Sequence, residues 1–204
     1  MRVIKFYIVL FLCLEAGDNY LKAQSVNDSV FQPAKIQGIR LMDPVSQKIN
    51  TIKNIVAGDQ LLLFIFLSPE CPICKNYMPT LNTLQKQYGK TVKMIGIIPG
   101  RTYSNIIVNA FAQKHKMIFP LRIDTKKEIS NYLHASITPE VVLLNSRYEL
   151  VYRGAIDNSI KQLGGLKSRQ ATENYLEDAI NKYLQHGSIV VKRVKAVGCL
   201  INDF

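Results

Sequence analysis

Residues 61–67 read Leu-Leu-Leu-Phe-Ile-Phe-Leu, an unbroken apolar run that constrains the fold more than any other stretch of the chain. Seven consecutive apolar side chains cannot alternate between core and solvent. The run therefore reads as a strand buried on both faces, which requires a layer on each side of a sheet. It breaks at Ser68-Pro69-Glu70, and Cys71-Pro72-Ile73-Cys74 follows at once. Beyond it Tyr77, Met78, Leu81 and Leu84 recur at helical spacing. The two cysteines thus fall at a strand-to-helix junction. Unpaired N–H groups and the partial positive charge of a helix N-terminus favour thiolate over thiol, so the position itself activates a sulfur. In this setting Cys-x-x-Cys reads as a redox-active dithiol.

The rest of the chain alternates between strand and helix patterns. Val92 to Ile98 is a second buried strand that ends at Pro99-Gly100. Ser104 is placed to cap a helix with Ile106, Ile107, Ala110 and Phe111 inward. A short strand at Leu121–Ile123 and a short helix from Lys126 to Leu133 come next. Val141–Leu144 and Glu149–Gly154 flank Asn145-Ser146-Arg147 as a hairpin. Thr172 is placed to cap a last helix burying Tyr175, Leu176, Ala179, Ile180, Tyr183 and Leu184. Ahead of the apolar run, Ile39, Leu41, Ile49, Ile52 and Ile55 suggest short strands or a hairpin around Asp43-Pro44. This order predicts an α/β fold, a central mixed β-sheet with helices on both faces.

A chain of 204 residues suits one domain with extensions. Residues 1–23 read as a signal peptide: Arg2 and Lys5 precede an apolar stretch, Phe6 to Leu14, too short to span a bilayer. Cleavage after Ala23 is expected, with a lipidated Cys13 or an uncleaved anchor as the alternatives. Each puts the domain outside the cytoplasm, periplasmic or secreted, where disulfides form. Residues 24–35 read as a linker, 36–186 as the domain and 187–204 as a tail carrying Cys199. The content of 48% hydrophobic and 20% charged residues excludes a disordered chain. The net charge of +11 is scattered and shows no aromatic–basic pattern, so no nucleic acid is expected as a partner. Membrane contact is expected only through the leader. With Cys13 in the leader, three cysteines remain, an odd number. That excludes an even disulfide framework and suits a redox pair plus one further thiol.

Strand, Cys-x-x-Cys helix, strand, helix, Thr138-Pro139, hairpin and final helix together resemble the thioredoxin superfamily over roughly residues 36–186. The N-terminal strand extension and the long segment from Val92 to Asp124 are similar to its redoxin branch. That branch includes alkyl hydroperoxide reductase/thiol-specific antioxidant proteins and extracytoplasmic thiol–disulfide reductases. The resemblance implies a thioredoxin fold and a thiol–disulfide oxidoreductase without a cofactor, working on protein disulfides with an electron donor still to be identified. Cys71, expected to be exposed, is the implied nucleophile and Cys74 the buried resolving thiol. Pro139 is the implied cis-proline, and Thr138 faces the substrate peptide. Strong oxidants of the superfamily often carry a histidine between the cysteines; the uncharged Pro72-Ile73 points to a reductant.

Glu70 and Glu140 flank the two site loops and are the candidates for proton transfer, since the buried acid of thioredoxin has no counterpart within Leu61 to Leu67. Peroxiredoxins carry Pro-x-x-x-Thr/Ser-x-x-Cys. Counting back from Cys71, Ser68 fills the hydroxyl slot but Phe64 the proline slot; from Cys74 those slots hold Cys71 and Leu67. Peroxidase activity is therefore the alternative function. A copper-handling protein is another, since thioredoxin-fold assembly factors use Cys-x-x-x-Cys and a histidine; here the spacing is two, and His134 reads as a surface or packing residue. No second Cys-x-x-Cys completes a zinc site, and no metal is expected. Cys199, in the tail Ala-Val-Gly-Cys-Leu-Ile, reads as a packing thiol. It becomes a candidate third redox thiol, pairing with Cys71, Cys74 or another chain, if the tail folds back onto the active-site face.

Overall fold

The computed structural model of the protein describes residues 31–56, 61–160, 170–187 and 192–201. The expected leader, linker residues 24–30 and the Asp59-Gln60 approach to the first buried strand lie outside the described residues. In chain order the elements are α1 (Pro33–Gly38), β1 (Arg40–Met42), β2 (Ile49–Thr51), α2 (Ile52–Ile55), β3 (Leu61–Phe66), α3 (Pro72–Tyr88), β4 (Val92–Pro99) and α4 (Asn105–Lys114). They continue with β5 (Leu121–Asp124), α5 (Glu128–Tyr132), β6 (Ile137–Thr138), β7 (Glu140–Leu144), β8 (Leu150–Gly154), α6 (Tyr175–His186), β9 (Lys192–Val194) and β10 (Cys199–Leu200).

Among the described residues eight strands form one mixed sheet in the order β2-β1-β5-β4-β3-β7-β8-β9. The apolar run is its centre. β3 pairs parallel with β4 and antiparallel with β7, and β4 pairs parallel with β5. Alternate β3 residues feed two cores. Leu61, Leu63, Ile65 and Leu67 pack with α3, with Val108 and Phe111 of α4 and with Leu176 and Ile180 of α6. Leu62, Phe64 and Phe66 pack on the opposite face with Ile36 of α1, Ile52 of α2 and Ile129 of α5. The sheet buried on both faces, inferred from seven apolar residues, is thus the observed arrangement, a thioredoxin fold.

Several local expectations change. Ile52 and Ile55 form the short helix α2, whose i, i+3 spacing turns Ile52 inward, and not a strand. In α4 the Ser104 hydroxyl accepts the Ile107 N–H as a cap, but the inward residues are Val108 and Phe111 while Ile106 is 81% exposed. α6 starts at Tyr175 with Asn174 at the N-cap and no side-chain cap, while Thr172 is bonded to Asn158. Its Leu184 faces solvent.

The core also reaches past the expected domain limits at both ends. Phe31, inside the expected linker, is buried, and its N–H donates to the Tyr148 carbonyl. The tail adds β9 parallel to β8, and β10 antiparallel to β6. Gly154 sits at φ +129°, and a Cβ there would run into the Val194 carbonyl, so glycine is what lets β9 come alongside.

Candidate active site

The turn from β3 into α3 places Cys71 at the N-cap, with φ −68° and ψ 116°, and Pro72 at the first helical position. Proline suits that position because its missing N–H has no partner there and its fixed φ starts the helix. Cys74 lies one turn further in, fully buried, and the Ser68 N–H points at its Sγ at 3.4 Å. Cys71 is only 2% exposed, which corrects the expectation of an open nucleophile. What covers it comes from the two ends of a second loop system.

The Thr138-Pro139 peptide bond is cis, and it sets the Thr138 carbonyl oxygen 3.1 Å from Cys71 Sγ. The tail then crosses this loop. Cys199 pairs with Thr138 and Leu200 with Ile137, the Thr138 hydroxyl donates to the Cys199 carbonyl, and the Ile201 N–H donates to Ser136. Gly198 permits the approach, since a Cβ there would strike the Thr138 carbonyl. The result is Cys199 Sγ at 2.7 Å from Cys71 Sγ, across 128 positions of sequence. Three thiols therefore meet at one point. The tail thus lies on the active-site face, the condition under which the sequence made Cys199 a candidate third redox thiol.

This clustering divides the thiols electrostatically. Hydrogen bonding from the Cys74 thiol, then from the Cys199 thiol and the backbone N–H groups of Cys74 and Cys199, lowers Cys71 to about 5 against the opposing effect of burial. Burial pushes Cys74 well up, and the charge forming on Cys71 adds to it. Burial and the bond to Cys71 push the half-buried Cys199 up to about 12. Near neutral pH one negative charge is thus held on Cys71 by two protonated neighbours. Titrating the ultraviolet absorbance of the thiolate should show a step with its midpoint at about 5. Below that pH the nucleophile is a thiol; above it a thiolate. Cys199→Ala removes a donor, so its step should move to higher pH. An unmoved step would mean that Cys199 does not bond to the sulfur.

The two carboxylates stand in different places. Glu140 is buried, but it stands opposite Phe66 and on the face of Val142 and Leu144, away from α3 and the cysteines. Its carboxylate accepts the Ser136 N–H and closes the cis-proline loop from behind. Glu70 is exposed, with Tyr103 donating to it at 3.4 Å. The Ser68 hydroxyl meets Tyr103 at 2.9 Å. His134 is exposed at the end of α5. Among the described residues no group of three or more His, Cys, Asp or Glu is arranged to hold a metal. One network went unread in the sequence: Tyr77 of α3 donates to the buried Asp157 at 2.7 Å, and Ser159 joins them. It fastens the cysteine helix to the end of β8; a helical tyrosine one turn past Cys74 and an aspartate after the hairpin were its signals.

The sequence profile of the AhpC/TSA family matches residues 37–158. No curated protein matches the chain. Among solved structures, an uncharacterised conserved protein of Geobacillus kaustophilus is 22% identical with a TM-score of 0.70, covering 82% of this chain and 89% of that one. A hypothetical protein of Sinorhizobium meliloti 1021 is 21% identical with a TM-score of 0.69, covering 82% and 91%. A secreted disulfide oxidoreductase of Mycobacterium tuberculosis is 16% identical with a TM-score of 0.50, covering 58% and 84%.

Proposed function

The chain belongs to the AhpC/TSA family, and on that premise we propose that it is an extracytoplasmic thiol–disulfide oxidoreductase acting on protein disulfides. Family and fold support thiol oxidoreductase or peroxidase chemistry in general. The observation that carries the narrower reading is the buried Cys71–Cys74 pair at the start of α3 beneath the cis-proline loop, one sulfur held as thiolate and the other as thiol. In the cycle, the Cys71 thiolate attacks a substrate disulfide; one substrate sulfur leaves and takes a proton. Cys74 loses its proton and attacks Cys71, and the second substrate sulfur leaves as a thiol. Two protein thiols are oxidised and one substrate disulfide is reduced. A dithiol donor returns the pair, and Thr138 offers its backbone to the substrate segment.

The direction of flow follows from which state the site stabilises. A thiolate held by two donors favours the reduced pair, which raises its potential and pulls against the reductant expected from Pro72-Ile73. We place the potential above about −270 mV, the value for thioredoxin. Equilibration in glutathione redox buffers reads it, and a value at or below thioredoxin's would restore the reductant. The activity itself is read by insulin reduction with dithiothreitol; a rate equal to dithiothreitol alone would end the protein-disulfide reading. Peroxidase chemistry is disfavoured because the hydroxyl slot is spent: Ser68 bonds to Tyr103, and its N–H faces Cys74 and not Cys71.

A further inference from the structure

The tail strand stands where an incoming peptide would. An extended segment that adds to an exposed strand edge gains backbone hydrogen bonds and places alternate side chains into the site. β10 does this in cis: it lies antiparallel on β6, at the residue before the cis-proline, with its cysteine against the attacking sulfur. A packing role alone leaves two facts unexplained. A glycine is required at 198 to let the strand this close, and the side chain it brings is a thiol in contact with a thiol. With the tail docked, Cys71 is 2% exposed and Cys199 lies against its sulfur, so an external disulfide reaches Cys71 as the tail lifts.

We propose that Cys199 is a second resolving thiol, delivered to Cys71 by a tail strand that docks in the register of a substrate segment. This rests on Cys71 being the attacking thiol of the proposed cycle. After Cys71 has attacked a disulfide RS–SR′, the Cys71–SR bond exists and R′S⁻ has left with a proton. The tail returns, and Cys199 gives up its proton and attacks Cys71 Sγ. The Cys71–Cys199 bond forms, the Cys71–SR bond breaks, and RS⁻ leaves carrying that proton. Cys74 then attacks Cys71 and frees Cys199 as a thiol, giving the Cys71–Cys74 disulfide with no further change in electron count. The tether favours the return: only Lys195 to Gly198 separate Cys199 from β9. A short flexible connection of that kind gives an effective concentration on the order of millimolar.

The test uses the full chain and the aromatic disulfide 5,5′-dithiobis(2-nitrobenzoate) as probe, in amounts below one per protein. Mass spectrometry of tryptic peptides separates the thiols, because Cys199 falls in residues 196–204, Cys71 in 54–75 and Cys13 in a third peptide. In Cys74→Ser the nitrobenzoate adduct on Cys71 should be lost at least about ten-fold faster than in Cys74→Ser/Cys199→Ser, as expected of a tethered thiol. A disulfide linking peptides 54–75 and 196–204 should appear in monomeric protein. Equal adduct lifetimes in the two variants, or the linked peptides only in dimers, overturn the proposal. Adding Gly198→Val to Cys74→Ser keeps the thiol and removes the docking, so the adduct should persist as in the double variant. If that chain fails to fold, the first comparison still decides. Insulin turnover by the unaltered chain is read separately: its loss with rapid adduct release sinks the protein-disulfide reading and leaves Cys199 as resolver, and the converse sinks only Cys199.

Discussion

Cys71→Ser should bring insulin reduction down to the rate of dithiothreitol alone, a loss on the order of 10³-fold or more, as expected when a covalent nucleophile is removed. A hydroxyl in place of Sγ is the same shape but remains protonated near neutral pH, so the two neighbouring thiols have no charge to stabilise. The fold should be untouched. The substitution changes one atom of one residue of the first core, and serine is a favoured helix N-cap. Cys74→Ser is the instructive contrast. With Cys74 as the sole resolver it would halt at the mixed disulfide. With Cys199 at 2.7 Å from Cys71 it should retain partial turnover. The variant that turns over no faster than Cys71→Ser is therefore the double one, Cys74→Ser/Cys199→Ser. If Cys71→Ser keeps more than a small fraction of the activity, the attacking thiol has been assigned to the wrong residue.

Phe64→Ala should be the most damaging change to stability outside the site. Phe64 is fully buried at the middle of β3, opposite Ile95 of β4 and Val142 of β7, on the face that packs α1, α2 and α5. Truncating a buried phenylalanine costs about 3–5 kcal/mol through lost transfer energy and the cavity left behind. With a urea slope of about 2 kcal/mol per molar, the unfolding midpoint should fall by roughly 2 M. Ile106→Ala, at an 81% exposed position of α4, should stay within about 0.5 kcal/mol. Comparable shifts in the two variants would mean that β3 is not the centre of the core.

How much of this was legible can be argued residue by residue. β3, α3 and the β7–β8 hairpin were readable because their side-chain periods are set by burial that the sequence records. The position of Cys74 followed from the same pattern. The face of Glu140 was available from parity: in a strand, 140, 142 and 144 share one face and 141 and 143 the other, and only the second set faces α3. The inner face of α4 failed for a different reason. Ile106, Ile107, Val108 and Phe111 offer apolar residues all round, and only the neighbouring strands decide which turn inward. The burial of Cys71 was not readable at all. It depends on β10, a strand of two residues whose partner lies far back in the chain. Gly198 directly before Cys199, and Gly154 where β9 passes, are the traces such packing leaves in a sequence.

The separation of 128 positions between Cys71 and Cys199 also sets an order of events in time. At synthesis rates of about 5–20 residues per second, residue 199 is made roughly 6–26 s after residue 71. Cys71 and Cys74 are born within one helical turn of each other and share surroundings from the start. The third thiol reaches them only once β6, β7 and β8 exist for the tail to lie on. A newborn chain that meets an oxidant early is therefore biased toward closing the local pair, and the long-range contact belongs to the finished molecule.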